Sequence, residues 1–326
     1  MLGEFELIAR YFAPLAASAP GAFGLRNDAA TFAPEPGQSV VVTTDTMVEG
    51  VHFLSGDPAD LVARKLLRVN LSDLAAMGAG PVGYVLTVAL PPPVDESWIA
   101  AFADGLRADQ DEFGIVLLGG DTVRTPGALT LTLTALGQVP AGTALIRSGA
   151  RAGDLVYVSG TIGDGALGLL ALRGELAGCG ATERAALADR YHLPRPRLAL
   201  GQALAARRLA TAALDVSDGL VADLGHIAAE SGLAAEIQAP AVPLSAAARA
   251  ALDRAPGLRE AILTGGDDYE LLFTVSPAQA AAIVALAGAL ALPLTRIGAM
   301  AAGAGVRAVD EAGAVIPLAK AGWTHL

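Results

Sequence analysis

Residues 40–53 read "VVVTTDTMVEGVHF" (Val40 to Phe53): three valines break into Thr43, Thr44, Asp45 and Thr46, with Glu49 and His52 close behind. The β-branched run predicts a core strand. The hydroxyls and carboxylate that follow put hard oxygen donors where that strand ends. By residue type alone, the stretch fits a strand leaving the core, an active-site edge or an Asp/Glu/His metal site.

The flanking segments supply the rest of an α/β layer. "GEFELIARYFAPL" predicts a short helix, and "PADLVARKLLRVNLSDLAAMGAGP" a longer one stopped by Gly and Pro. "VGYVLTVAL", "IVLLGGDT" and the alternating "ALTLTLTALGQV" predict strands, with a helix over "DESWIAAFADGLRADQDEFG". The Gly- and Arg-rich "ALIRSGARAGDLVYVSG" marks a boundary, so the reading is two domains, 1–148 and 149–326. The second half runs helix ("DGALGLLALRGELAG"), loop ("YHLPRPRLALG"), helix, strand ("TAALDVSDGL") and helix ("VADLGHIAAESG"). The Ala-rich residues 203–213 and 278–291 predict packing helices. Interspersed strands and helices with antiparallel pairing predict an α/β fold with mixed sheets, not an obligatory Rossmann order.

Composition narrows the function. The 326 residues are 53% hydrophobic and 17% charged, enough for large cores. A net charge of -11 argues against a general grip on nucleic acid and fits anions held through cations. The single cysteine, Cys179, excludes a disulfide framework and a zinc ribbon, and the reducing cytoplasm is the expected compartment. No secretory signal and no membrane-spanning run is read, so no membrane partner is expected.

Acids recur where apolar runs meet Gly or polar residues: Asp28, Asp45, Asp73, Asp121, Asp215 with Asp218, and Asp267, Asp268 and Glu270 in "GGDDYELLF". One such Asp is ordinarily a cap or a turn residue. Repeated carboxylates beside strands need partners, and oxygen donors with few His suit Mg2+ rather than Zn2+. There is no P-loop and no protein-kinase signature. Gly163, Gly165 and Gly168 form G-x-G-x-x-G, yet no acid-tipped second strand follows, so the reading is a closely packed helix entry. His52, His192, His226 and His325 show no metal-ligand spacing. His226 reads as structural and His52 as the ligand contact. Arg147 fits a phosphate contact and a surface arginine equally.

"TTDTMVEGVHF", "NLSDLAAMGA", "GGDT", "DVSDGL" and "GGDDYELLF", in this order, resemble the thiamine-monophosphate kinases, a family of the aminoimidazole ribonucleotide synthetase superfamily. The resemblance covers nearly the whole chain, to "GWTHL". It implies ATP-dependent phosphorylation of thiamine monophosphate to thiamine diphosphate in the cytoplasm. It implies two α/β domains and a homodimer whose N-terminal strands form a barrel across the interface. Residues 1–148 would bind ATP and Mg2+ and dimerise; residues 149–326 would complete the cleft. Carried over by motif, Asp28, Thr43, Thr44, Asp45, Asp73, Asp121, Asp215 and Asp218 would ligate several Mg2+ ions. Gly120, Asp121, Arg147 and Ser217 would contact ATP. His52, Asp267 and Trp323 would contact thiamine monophosphate, and Phe113 would line the adenine pocket. No residue is assigned as a catalytic base.

Two stretches depart from the family pattern. Gly24-Leu25-Arg26-Asn27-Asp28 stands where relatives read Gly-x-Gly-Asp-Asp, and Asp267 where they commonly have Glu. The competing readings are another ATP-using member, such as a formylglycinamidine ribonucleotide synthetase-like enzyme, and a non-catalytic nucleotide- or metal-binding relative. A phosphate acceptor is already ionised at neutral pH, so the lack of a catalytic His is no objection. The obstacle is repulsion between polyanions, which bridging cations reduce.

Overall fold

The computed structural model describes residues 3–92, 94–176 and 178–323. They form two units: the chain through Leu74 together with Ala79–Gly142, and Ala75–Gly78 together with the chain from Thr143 onward.

In the first unit the valine run becomes β1 (Gln38–Val48), longer than the apolar residues alone predict. Its extension through the threonines comes from antiparallel pairing along its whole length with β4 (Thr130–Pro140). β2 (Gly80–Leu90) pairs antiparallel with β4 and parallel with β3 (Val116–Arg124), giving the order β1-β4-β2-β3. β4 alternates strictly, with Leu131, Leu133, Ala135 and Val139 buried on one face and threonines on the other. The helix α1 (Glu4–Leu7) opens the unit. On the buried face lies α2 (Ala59–Ala76), whose Leu74 packs beside Gly137 of β4. α3 (Glu96–Phe113) packs on α2 where Gly105 lets the Asp60 backbone approach. Asp95 caps α3 by accepting from Trp98 N at 2.9 Å, and left-handed Gly114 ends it.

The second unit holds a six-stranded sheet in the order β10-β7-β9-β5-β8-β6. Its strands are β5 (Leu155–Ser159), β6 (Ala212–Asp215), β7 (Ala234–Gln238), β8 (Leu271–Val275), β9 (Leu294–Ala301) and β10 (Gly305–Val309). Its helices are α4 (Asp164–Leu172), α5 (Ala181–His192), α6 (Leu198–Ala206), α7 (Leu220–Glu230), α8 (Ala246–Arg254), α9 (Leu258–Thr264) and α10 (Ala280–Leu290). Val156 and Val158 of β5 enter one core with residues of α4, α5, α7 and α8. Leu155 and Tyr157 enter another with Leu200 and Leu204 of α6 and Ile283 and Leu286 of α10. Covered on both faces, β5 and β8 read as continuous apolar runs rather than alternating ones. Among the described residues of this sheet only β7 and β10 pair in parallel; with β2 and β3 parallel in the first sheet, both sheets are mixed.

Two readings are corrected. Residues 203–213 are not one helix: α6 stops at Ala206, Arg208 turns with φ 51°, and Ala212 starts β6. Alanine favours helix, but pairing with β8 takes precedence. Helix α5 is an element the reading lacked; Tyr191 and His192, expected in a loop, form its last turn. No helix among the described residues is long and apolar enough to cross a membrane.

Candidate functional site

In the first unit, β1 alternates its donors. Thr43, Asp45 and buried Met47 share the face that meets α2, while Thr44 and Thr46 lie on the exposed face. Thr43 Oγ1 donates to Asp73 Oδ2 of α2 at 2.5 Å. Thr44 Oγ1 instead donates to Leu133 O at 3.2 Å and accepts from Thr134 Oγ1 at 3.0 Å. The structure therefore joins Thr43 to Asp73, places Asp45 on the same face of β1 two residues on, and turns the Thr44 side chain to the other face.

At the end of β1, Glu49 N donates to Leu129 O at 3.0 Å, and Glu49 bridges Phe53 across the turn. His52 Nδ1 accepts from Val48 N at 3.0 Å, which leaves the proton on Nε2. Its carbonyl accepts from buried Lys65 Nζ at 3.3 Å.

Gly120 and Asp121 lie at the other edge of the same sheet. Thr46, Thr132, Thr87 and Asp121 form one row across its four strands. Three strand spacings put Asp121 about 14 Å from β1 along the sheet. A Cβ at Gly120 would overlap the Leu86 carbonyl oxygen, so only glycine fits there. Asp28, Gly120 and Asp121 line a cavity of about 460 Å³ with Asn27, Phe12 and Leu118. Phe113 is absent from that lining; its ring lies 5.0 Å from the Arg68 guanidinium.

In the second unit, buried Asp215 ends β6, and the DVSDG turn leads into α7. Ser217 O accepts from Asp267 N, and Asp218 O from Trp323 N, both at 2.9 Å. Ser217, Asp218, Asp267 and Trp323 thus meet at one turn, with the Trp323 side chain 56% exposed. Arg147 is exposed, next to Ile146, whose carbonyl accepts from Ala213 N of β6 at 2.9 Å. The unused His325 lies outside the described residues.

Three acids proved to have roles the motifs did not separate. Asp223 caps α7, accepting from the N–H groups of Asp218 and Gly219, both at 3.0 Å. Burial, with the Asp218 charge adding, pushes its carboxyl up to about 7. Asp218, Asp223 and exposed His226 present ligand atoms within 4.8 Å of one another, so His226 lies beside this turn. Asp268 is buried and accepts from Gly163 N at 2.7 Å and Gly165 N at 3.0 Å. The glycine-rich entry to α4 is therefore filled by the protein's own carboxyl. Glu270, also buried, accepts from Ser159 Oγ at 2.6 Å, Arg190 at 2.9 Å and Arg197 Nε at 2.6 Å. The one sequence signal for this pair was their place inside an apolar stretch, "DDYELLF".

Residues 26–139 match the family described as AIR synthase related protein, N-terminal domain, and residues 151–311 match its C-terminal domain. The chain is 45% identical over 325 residues to the thiamine-monophosphate kinase of Caulobacter vibrioides, covering 99% of this chain and 90% of the relative. The crystal structure of thiamine-monophosphate kinase from Stenotrophomonas maltophilia K279a aligns with a TM-score of 0.83 at 47% identity, covering 94% of this chain and 96% of that one. The structure of AaThiL complexed with AMPPCP and TMP aligns with a TM-score of 0.78 at 30% identity, over 100% of this chain and 97% of that one.

Proposed function

The chain belongs to the thiamine-monophosphate kinases of the AIR synthase-related family, which use ATP to convert thiamine monophosphate to thiamine diphosphate, and from that premise we propose how its residues divide the reaction. Thr43, Asp45 and Asp73 form a Mg2+ cradle in the first unit. The donor chemistry supports it: a hydroxyl and two carboxylates, all hard oxygens, with the Thr43–Asp73 contact already made. One turn before Asp73 on α2, buried Asn70 donates its amide to Leu66 O at 3.0 Å, and its Oδ1 meets no donor among the described residues. An oxygen left over there suits the hydration shell of a cation. Thr44, Asp28, Asp121, Asp215 and Asp218 are the further proposed ligands of several ions.

ATP is held by Gly120, Asp121, Arg147 and Ser217, and the cavity lined by Asp28 and Asp121 supports a nucleotide at the β3 edge. Thiamine monophosphate is held by His52, Asp267 and Trp323; the exposed indole offers an aromatic face for a thiamine ring. Residues 1–148 carry ATP, Mg2+ and dimerisation, and residues 149–326 complete the cleft, in the cytoplasm. The homodimer closes two four-stranded sheets into a barrel. This is supported by the half-exposed Thr- and Val-rich outer face, with Val42 60% exposed. Within one sheet Asp121 and Thr44, which share the exposed face, sit at opposite edges, and a barrel joins edges.

Bound Mg2+ supplies charge neutralisation between the two polyanions. The protein's own residues fix the acceptor phosphate in line with the γ-phosphate, which turns an encounter into a unimolecular step. The acceptor oxygen is ionised, so His52 orients substrate and takes no proton.

The contact between Thr43 and Asp73, on the face shared with Asp45, carries this reading. The test is incubation with ATP, Mg2+ and thiamine monophosphate, followed by separation of the thiamine species. Thiamine diphosphate is expected. Folded protein that forms ADP only with a different acceptor overturns it.

A further inference from the structure

We propose that Asp268 is a positioning residue: its buried carboxyl locks the neighbouring Asp267 against the Ser217–Asp218 turn and so sets the affinity for the phosphate acceptor. The inference rests on the reading of Asp267 as a substrate contact.

Three loops of the second unit meet with no spare space. They follow β5 (residues 160–163), β6 (216–219) and α9 (265–270). A Cβ at Gly165 would overlap the Asp267 carbonyl, and one at Gly266 the Ser217 carbonyl. Val216 O accepts from Tyr269 N at 2.8 Å, and Ser217 O from Asp267 N at 2.9 Å, two rungs that tie the acceptor loop to the metal loop. Asp267 and Tyr269 sit at φ 71° and 51°, in the left-handed region that side chains avoid. Such a conformation persists where surrounding bonds over-determine it.

Asp268 lies between these two residues and adds two further bonds to those rungs. Its two oxygens grip Gly163 N and Gly165 N, unpaired donors at the start of α4. The carboxyl is 2% exposed, too deep to meet substrate. It therefore acts through Asp267, whose Oδ1 also accepts from Tyr269 Oη at 3.3 Å.

The test compares steady-state kinetics of Asp268→Asn and Gly165→Ala with Leu286→Ala, a cavity variant in the α6–α10 core. Asp268→Asn retains one acceptor; Gly165→Ala pushes directly on the Asp267 carbonyl and Cβ and so reports on the placement of Asp267 itself. Both are expected to raise the KM for thiamine monophosphate about tenfold, the usual effect of disturbing a supporting contact, while the KM for ATP stays within about twofold. Leu286→Ala is expected to lower the Tm and move neither KM. A lowered Tm with unchanged acceptor KM in Asp268→Asn overturns the proposal; should Asp268→Asn not fold, Asp268→Glu, which keeps the carboxyl and shifts its oxygens, decides. Asp267→Asn separates the two readings. If it leaves the acceptor KM unchanged, the substrate-contact reading fails. If it raises that KM and the other two do not, only the role of Asp268 fails.

Discussion

The Thr43 hydroxyl of β1 donates to the Asp73 carboxylate of α2 at 2.5 Å, joining a strand and a helix 30 residues apart in sequence. The bond orients one Asp73 oxygen. Thr43→Val keeps the shape and removes the donor. It is expected to cost about 1 kcal/mol in stability and to raise the Mg2+ concentration for half-maximal turnover roughly tenfold. Mg2+ titrations of the two proteins at saturating ATP check it.

Asp45→Asn retains volume and loses the charge. Turnover is expected to fall by about 100-fold or more, the scale seen when an electrostatic stabiliser is removed, with circular dichroism and Tm near wild type. Unchanged turnover removes Asp45 from the cradle.

Glu270→Ala leaves Arg190 and Arg197 without their shared buried carboxylate. Breaking such a group by removing one partner costs about 3–5 kcal/mol. Urea unfolding is the measurement; a loss below about 1 kcal/mol denies the network its structural role.

Gly120→Ala forces a methyl group onto the Leu86 carbonyl oxygen. Overpacking of this kind costs about 1–3 kcal/mol, and the strain falls on the edge that carries Asp121. Weakened binding of a fluorescent ATP analogue and a lower Tm are expected together.

Burial pushes the Asp268 carboxyl up to about 8, against the two N–H groups that favour its charged form. The unfolded chain releases this proton in the ordinary carboxylate range, near pH 4. Between about pH 4 and 8 the folded state therefore binds more protons, and stability falls as pH rises through the window. Asp268→Asn is expected to flatten that slope; urea midpoints at pH 5, 6.5 and 8 measure it.

Much of this was legible because it is local. The alternation of "ALTLTLTALGQV" marked β4, and the break after Val42 marked where β1 turns from valines to oxygen donors, although the strand runs on to Val48. The fates of the three acids in "GGDDYELLF" were not local. Asp267 faces the DVSDG turn, Asp268 caps a helix about 100 residues earlier in the chain, and Glu270 pairs with arginines 80 and 73 residues away. Residue type shows that each carboxylate needs a partner, but only the fold shows which. The alternation that sends Thr44 away from Thr43 was readable in principle, since strand neighbours always diverge, yet a motif presents them side by side. Residues 203–213 illustrate the opposite limit: alanine carries so little side chain that helix and buried strand look alike.

The helix entry at Gly163 and Gly165 has an evolutionary consequence. Two backbone donors at a helix start are raw material for an anion site, and this chain has already spent them on Asp268. Losing that acid would free both donors and in the same step release Asp267. A lineage built on this scaffold cannot gain a second anion site here by one substitution without first loosening its hold on the acceptor it has.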